Sequence, residues 1–308
     1  MRSLRRRAAF LLAAGLAFSL WPALLLAQVE LTLRRSFIER IKNRVTITAS
    51  FVVDTAHRNP NTAKKDADLH IAGRSADIEL ATVAEIMNAA KDQFALQQIR
   101  TADATGAPVR MMGVWRIWAE HGGEVRHRQG NALQPFRTTN PDHVFEIHPV
   151  LEIDGHGLQF TLTPIDGFET KDAAMSFERY EAKAFQIRAL SGGMVQMTTS
   201  GLGFNYVRFK IVLLETPFQV EDGAFVQADV LDLEDEILVR KRRMVFAAGT
   251  PPAVRLAASQ VGDTLEVLGV PRVDLALVSW RLSQSATRPE VLTWTIPYEM
   301  IIAGVYPQ

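Results

Sequence analysis

Side chains that bind metal ions or polar ligands are concentrated in three short segments of the first half of the chain. The segments hold, in chain order, Asp66, Asp68 and His70, then Glu85, then Glu146 and His148. Imidazole and carboxylate groups are, with thiolates, the usual protein ligands of zinc and other divalent ions. Since the chain has no cysteine, these six residues are its main candidates for a metal site or a polar ligand site.

The segments alternate polar and apolar residues, which is the pattern of a β-strand with one buried face. The same reasoning predicts strands over residues 45–53, 66–71, 78–86, 109–118 and 143–153, and helical spacing predicts a helix over 88–100. Three strands, a helix and two strands are the element order of an OB-fold, a small five-stranded barrel. The sequence therefore predicts an N-terminal OB-like barrel.

Such a barrel would bring the three segments together, because its third strand pairs with both the second and the fifth. Glu85 is expected beside Glu146 or His148, with His70 one strand further on. We predict a divalent metal site formed by His70, Glu85 and His148. A wider ligand-binding set adds four residues, Asp66, Asp68, His121 and Glu146.

His121 lies in the long connection 119–142 between the fourth and fifth predicted strands. This connection is one of the loops with which OB-folds contact ligands. Two alternatives to a metal site stay open. The polar face could simply be solvated, as half of an antiparallel sheet can be, or it could bind a small molecule or an oligomer.

The first 27 residues resemble an export signal. Arg2, Arg5, Arg6 and Arg7 form a basic start, an apolar stretch follows, and Ala27 precedes Gln28 at an acceptable cleavage site. We therefore predict a periplasmic or secreted protein, cleaved near Ala27, with no other membrane segment. An uncleaved membrane anchor is the alternative, because about twenty apolar residues can span a bilayer.

The second half of the chain is also rich in predicted strands. They cover residues 184–190, 194–199, 206–214, 225–233, 237–246, 264–270 and 275–282, with short helices over 171–180 and 251–259. The last seven elements resemble a second OB-like barrel, and the tail 291–306 reads as one more strand. The predicted organisation is a signal peptide over 1–27, an OB-like barrel domain over 28–157 and a second β-rich domain over 158–308. The fold class is mainly β with minor α.

Composition excludes several classes of protein. The 34 basic and 34 acidic residues balance, so a strongly basic nucleic-acid binder is disfavoured and nucleic acid is not an expected partner. Without cysteine there is no disulfide scaffold, thiol enzyme or iron–sulfur site. No Gly-x-Ser-x-Gly turn of a serine hydrolase occurs.

Three segments resemble those of exported bacterial proteins of unknown function that carry OB-like barrels. The matching residues are Asp66-Ala67-Asp68-Leu69-His70, Ala84-Glu85-Ile86 and Glu146-Ile147-His148-Pro149-Val150. The resemblance covers roughly 100 residues, and His121-Gly122 stands where those proteins have a His-Gly loop. It implies an exported OB-like protein and no particular activity.

The sequence leaves open whether the protein is an enzyme. Our first hypothesis is an exported, non-catalytic protein that binds a small molecule, an oligomer or another protein. The alternative is a divalent-metal hydrolase in which His70, His148 and a carboxylate hold the ion. In that alternative, Glu85 or Glu146 would act as the base on a metal-bound water.

Overall fold

The computed structural model describes residues 28–203, 205–284 and 292–307. The strands of these residues are β1 (Gln28–Arg34), β2 (Thr46–Ala56), β3 (Leu69–Arg74), β4 (Thr82–Ile86), β5 (Val109–Ile117), β6 (Arg126–Arg128), β7 (Phe145–Ile153), β8 (His156–Gly157), β9 (Ala184–Leu190), β10 (Met194–Ser200), β11 (Val207–Leu213), β12 (Phe218–Val220), β13 (Gly223–Leu231), β14 (Ile237–Ala247), β15 (Thr264–Val273), β16 (Leu292–Thr295) and β17 (Tyr298–Val305). The helices are α1 (Arg35–Ile41), α2 (Gln93–Thr105), α3 (Ala173–Glu181), α4 (Pro251–Ala257) and α5 (Leu275–Gln284).

Five strands of the first half form a closed barrel. β2 pairs with β3 and β5, β3 pairs with β4, and β5 pairs with β7, all antiparallel, while a parallel pairing of β4 with β7 closes the barrel. Helix α2 lies between the third and fourth strands. It begins where the Asp92 side chain accepts a hydrogen bond from the Ala95 amide, and it ends at Gly106 with φ 68°. The predicted OB-like barrel is confirmed.

A second barrel repeats this pattern in the second half. β11 pairs with β13 and β15, β13 with β14, and β15 with β17, and a parallel pairing of β14 with β17 closes the barrel. Helix α4 occupies the slot between the third and fourth strands. Proline at its start and the cap at Thr250 fix where it begins. The chain therefore contains two OB-type barrels of the same strand order.

One predicted element of the second barrel is wrong. Residues 275–282, predicted as the closing strand, lie in helix α5. The Asp274 carboxylate accepts a hydrogen bond from the Leu277 amide at the start of the helix. The buried residues Leu275, Val278 and Leu282 recur at helical spacing. The strand that closes the barrel is β17, within the tail that the sequence predicted as a single strand.

A third sheet lies outside the two barrels. Its strand order is β16-β9-β10-β1-β6. The sheet therefore combines strands from both sides of residue 157, where the sequence places the domain boundary. That boundary stays a prediction. β1 and α1 follow directly after the predicted export signal and were not predicted as elements. Residues 1–27 lie outside the described residues. Within the described part of the chain, no helix is long and apolar enough to cross a bilayer.

The two barrels pack against each other through a shared apolar layer. The layer combines Val45, Met87, Val114 and Leu151 of the first barrel with Tyr206, Phe225, Val245, Leu268, Val270, Ile301 and Ala303 of the second part of the chain. Because both barrels turn their fourth and fifth strands towards this layer, polar residues on those strands are removed from water. That burial sets the chemistry of the site described below.

Two arginines cross the barrel interface in a reciprocal manner. Arg116 on β5 donates to the Pro271 carbonyl at 2.9 Å, and Arg272 on β15 donates to the Trp115 carbonyl at 3.0 Å. Within its own barrel, each guanidinium pairs with a glutamate on the neighbouring strand, Arg116 with Glu146 and Arg272 with Glu299. All four charged side chains are at most 1% exposed. The interface is thus held by two matched, buried ion pairs.

We predict that Arg272→Leu lowers the free energy of unfolding by about 3 kcal/mol, the lower end of the range for breaking a buried ion pair, because the buried Glu299 would keep only Arg243, whose Nε lies 3.2 Å from Glu299 Oε2. Arg240→Leu is the matched control, since Arg240 pairs with Asp229 at the surface and is 67% exposed; its loss should be within about 1 kcal/mol. Urea unfolding measures both. Equal losses in the two variants would contradict the role of Arg272 at the interface.

Candidate functional site

A cleft of about 750 Å³ opens above the first barrel. One wall comes from the β2–β3 connection and the other from the β5–β7 connection, and the segment 168–175 closes the far side. The lining residues include Lys64, Lys65, Asp66, His70, Glu85, Glu120, His121, Asn140, Lys171 and Tyr206. These two connections and the face of the second and third strands are the surfaces with which OB-folds bind ligands.

Strand pairing brings the predicted residues together at this cleft, with His70 and Glu85 lining it and His148 buried beneath them. His70 on β3 lies directly opposite Glu85 on β4, and the parallel pairing of Ala84 with Ile147 brings the next residue of each strand, Glu85 and His148, side by side. Asp68 comes one residue before β3. The adjacency of Glu85 and His148 that the barrel order predicted is therefore confirmed.

His148 is the centre of a buried polar cluster beneath the cleft, and both of its ring nitrogens face oxygen atoms. Nδ1 lies 3.1 Å from Glu85 Oε2 and 3.4 Å from Glu146 Oε2. Nε2 lies 2.8 Å from the Tyr206 hydroxyl and 3.6 Å from Asp68 Oδ2. His148 itself is fully buried. The imidazole therefore links a carboxylate pair on one side to an aspartate–tyrosine pair on the other.

Asp68 is a buried carboxylate with an incomplete set of partners. Its Oδ2 accepts a hydrogen bond from the Tyr206 hydroxyl at 2.7 Å, while its Oδ1 has no hydrogen-bond partner among the described residues. Burial raises the pKa of Asp68 well above its usual range, and the charges of Glu85 and Asp66 act in the same direction. The carboxylate form of Asp68 is therefore disfavoured at this position, and a cation beside Oδ1 would stabilise it.

Glu146 has the opposite environment. Although burial raises its pKa, the Arg116 guanidinium and the His143 imidazole lower the pKa of Glu146 well below its usual range. Arg116 Nη1 donates to Oε2, and His143 Nε2 lies 3.2 Å from Oε1. Glu146 is therefore a charged group that is already neutralised.

Asp68, Glu85 and His148 form a group that can hold a metal ion. One ligand atom from each residue lies within 4.8 Å of the other two, and all three residues are buried. The sequence named Glu85 and His148 for this role together with His70. In the structure Asp68 completes this group, because it approaches His148 from the Nε2 side, whereas His70 lies on the outer side of Glu85.

His70 and Asp66 lie above the group, at the wall of the cleft. His70 Nε2 is 3.8 Å from both Glu85 Oε1 and Asp66 Oδ2, which is too far for a hydrogen bond. Burial lowers the pKa of His70, but the negative charges of Glu85 and Asp66 outweigh it and raise the pKa to about 9. The ring stacks on His57, with centroids 5.0 Å apart. His70 thus presents a positive charge beside the acidic floor.

His121, the remaining predicted ligand residue, lies on the opposite wall. Its ring stacks on the buried His143 with centroids 5.2 Å apart. Burial lowers the pKa of His121, and the neighbouring His143 lowers it further, against the effect of Glu120. His121 borders the cleft without touching the Asp68–Glu85–His148 group. Assignment of all seven residues to ligand binding stays a prediction.

The solvated-face alternative is wrong for the polar cluster beneath the cleft. Asp68, Glu85, Glu146 and His148 are at most 3% exposed, because the second barrel and Tyr206 cover this side of the sheet. Alternation along a strand distinguishes two faces but does not tell whether another domain covers the polar one. The polar face of the first barrel is an internal surface.

Sequence reasoning missed three residues that complete the site: Arg116, His143 and Tyr206. Tyr206 is separated from Asp68 by more than a hundred residues and gave no local signal. Arg116 did leave one, since Gly113-Val114-Trp115-Arg116-Ile117 matches Gly269-Val270-Pro271-Arg272-Val273 at three of five positions. That repeat would have indicated a shared role for the two arginines.

Comparison of the chain with protein-family models, with curated proteins and with solved structures finds no significant match. The resemblance to exported bacterial proteins is therefore still a prediction.

The buried pair of His143 and Glu146 predicts a pH effect on stability. Burial lowers the pKa of His143, but Glu146 outweighs burial and raises the pKa above 6.5. The stabilisation is therefore complete below 6.5 and is lost as the pH rises through the higher value of the folded state. We expect His143→Gln to be less stable than the wild type well below pH 6.5, with a difference that shrinks well above it.

Urea unfolding of the wild type and of His143→Gln across this range measures the effect. His127→Gln is the matched control, because His127 bonds to the Gly122 carbonyl and burial lowers its pKa; its substitution should therefore not cost more stability at low pH than at high pH. A stability difference for His143→Gln that grows with pH would contradict the assignment.

Proposed function

We propose that this protein is a non-catalytic ligand-binding protein whose cleft binds a small polar molecule next to a metal ion held by Asp68, Glu85 and His148. The observation that carries the proposal is the approach of these three ligand groups within 4.8 Å of one another at a buried position. A metal ion there would stabilise the carboxylate forms of Asp68 and Glu85, which burial alone disfavours.

The position and size of the cleft support the ligand part of the proposal. A volume of about 750 Å³ lies within the range of about 300–1,000 Å³ that small-molecule sites occupy. The cleft lies between the two connections that bind ligands in OB-folds, which is an argument from fold analogy. Its walls carry both signs of charge, including Lys64, Lys171 and Glu120, so a polar ligand fits better than an apolar one.

Location in the periplasm or outside the cell belongs to the same proposal. It is supported by the basic and apolar composition of residues 1–27. A direct measurement is the N-terminal sequence of the protein recovered from cells, which is expected to begin near Gln28.

Metal binding is tested with the isosteric variant Asp68→Asn. Without metal, we expect this variant to be at least as stable as the wild type, because burial already disfavours the charged form of Asp68 and the amide carries no charge to bury. With metal at about a hundredfold its dissociation constant, the wild type should gain about 2.7 kcal/mol of unfolding free energy and Asp68→Asn almost none. Metal analysis after dialysis and thermal unfolding give the two readouts.

Asp103→Asn is the matched control, since Asp103 lies exposed on α2, and it should respond to metal as the wild type does. Zinc, manganese, calcium and ferric iron are each supplied in turn. A wild type that retains none of them, with unchanged unfolding, would reject the proposal.

Ligand binding is tested by native mass spectrometry of protein isolated without chelators. We expect the wild type to carry a bound mass beyond that of polypeptide and metal. His70→Gln removes the positive charge at the cleft wall and should lower the bound fraction, at a site where no hydrogen bond is lost. His156→Gln, outside the cleft, should keep the wild-type fraction. Equal retention in both variants would contradict the location of the ligand.

A metal-dependent hydrolase is the second candidate. It is favoured by the fact that Glu85 belongs to the metal group and also lines the cleft, where a metal-bound water could meet a substrate. Glu146 is unsuited to act as the base, because Arg116 and His143 already neutralise it. Metal-dependent cleavage of a simple phosphodiester that is lost in Asp68→Asn would replace the binding proposal by this one.

A further inference from the structure

A groove of about 310 Å³ lies between helix α2 and the start of β5. None of the residues that line this groove also lines the cleft, and the proposed function leaves it unused. Its volume falls at the lower end of the range of about 300–1,000 Å³ that small-molecule sites occupy. The groove is therefore a separate candidate for ligand binding.

An exposed aromatic ring borders the groove in a fixed orientation. Phe94 is 57% exposed, so its ring adds little to the core. The ring nevertheless contacts the His156 imidazole, with ring centres 4.7 Å apart, and His156 Nε2 lies 2.6 Å from Asp92 Oδ2. Asp92 is itself held in place, because its Oδ1 accepts a hydrogen bond from the Ala95 amide at the start of α2. A buried carboxylate thus orients a solvent-facing ring, and such pre-organisation favours binding.

The helix face that lines the groove is uncharged. Five residues of α2 share this face at helical spacing, namely Phe94, Gln97, Gln98, Thr101 and Thr105. The charged residues of the helix, Arg100 and Asp103, do not line the groove. Among the described residues that do line it, none is cationic and Asp154 is the single acid. An anionic ligand would therefore meet no group of opposite charge here.

Several polar atoms of the groove are hydrogen-bond acceptors that lack a donor. Gln98 Oε1 is buried and has no hydrogen-bond partner among the described residues. Asp154 uses Oδ1 to accept a hydrogen bond from the Arg110 amide at 2.7 Å, which leaves Oδ2 for a ligand. The hydroxyls of Thr101 and Thr105 donate to helix carbonyls, so each presents oxygen lone pairs to the groove. A ligand that suits this groove is uncharged and rich in hydrogen-bond donors.

We infer that this groove binds an uncharged oligosaccharide, with one sugar ring stacked on Phe94 and its hydroxyl groups donating to Gln98 Oε1 and Asp154 Oδ2. The C–H groups of a pyranose ring carry partial positive charge and pack on the negative face of an aromatic ring, while the hydroxyls at its edge supply the missing donors. The site is independent of the proposed metal group. Because the groove is open to solvent, the sugar exchanges rapidly and is not retained when the protein is isolated.

The test uses saturation-transfer difference NMR and isothermal titration of the purified protein with maltohexaose, cellohexaose and N-acetylchitohexaose as separate probes. We expect at least one of them to bind, with the strongest transfer at ring C–H protons. Phe94→Ala should lower its affinity at least about tenfold, because the stacking surface is lost. Phe160→Ala is the matched control, since Phe160 is 50% exposed and does not line the groove, and it should bind as the wild type does.

A second pair of variants tests the unpaired acceptor. Gln98→Leu should lower the affinity about threefold to tenfold, because a sugar hydroxyl loses its partner. Gln93→Leu is its control, since Gln93 is exposed on the same helix and lies outside the groove. An oligogalacturonate, whose rings carry carboxylates, should bind more weakly than the neutral sugar because Asp154 repels it.

The outcomes that overturn the inference are specific to this groove. They are the failure of all three neutral sugars to bind, equal affinity in Phe94→Ala and Phe160→Ala, and tighter binding of the polyamine spermidine than of any neutral sugar. If Phe94→Ala does not fold, the comparison of Gln98→Leu with Gln93→Leu decides, and equal affinities reject the inference. None of these results bears on the metal site, whose variants and readouts are separate.

Discussion

The structure depends on two buried arginine–glutamate pairs that face each other across the barrel interface. Each pair joins the fourth and fifth strands of one barrel, and each guanidinium also donates to a backbone carbonyl of the other barrel. A buried ion pair adds little stability compared with apolar packing. If the barrels packed in a different relative position, however, a charged side chain would be buried without its partner. The pairs therefore fix the relative position of the barrels more than they strengthen it. Tyr206 reaches Asp68 and His148 only because that position is fixed.

The two barrels differ at the positions that surround these pairs. If the arginine–glutamate pairs are aligned, Phe225, Val245 and Ile301 of the second barrel correspond to His70, Glu85 and His148 of the first. All three residues of the second barrel pack in the shared apolar layer. The same fold thus uses a continuous apolar surface in one barrel and a polar cluster in the other, and only the first barrel can bind an ion there.

Sequence patterns predicted the strand order of the first barrel because each strand alternates apolar and polar residues and turns separate the strands. The same patterns failed at residues 275–282, where Leu275, Val278 and Leu282 are spaced for a helix within an otherwise apolar run. The site was predicted in part, since strand adjacency follows from the barrel order. The sequence could not show that Asp68, and not His70, belongs to the metal group, because this depends on how each residue of the second barrel strand lies relative to the His148 imidazole. Tyr206 depends on contact between distant parts of the chain, about which local periodicity gives no information.

The second barrel also indicates that the polar cluster is not required by the fold. That barrel closes with the same pairings although phenylalanine, valine and isoleucine occupy the corresponding positions, so an arginine–glutamate pair and apolar packing suffice. In the first barrel Asp68 Oδ1 is buried and has no hydrogen-bond partner among the described residues, and Glu85 is removed from water beside it, whereas the corresponding orphaned oxygen of the second barrel, Glu299 Oε2, lies 3.2 Å from Arg243. Such burial lowers stability unless a cation compensates it. Departures from good packing that have no structural benefit are typical of functional sites. The burial of Asp68 and Glu85 next to an open cleft is therefore a cost that the fold does not require, and it falls on two of the three residues that can hold a metal ion.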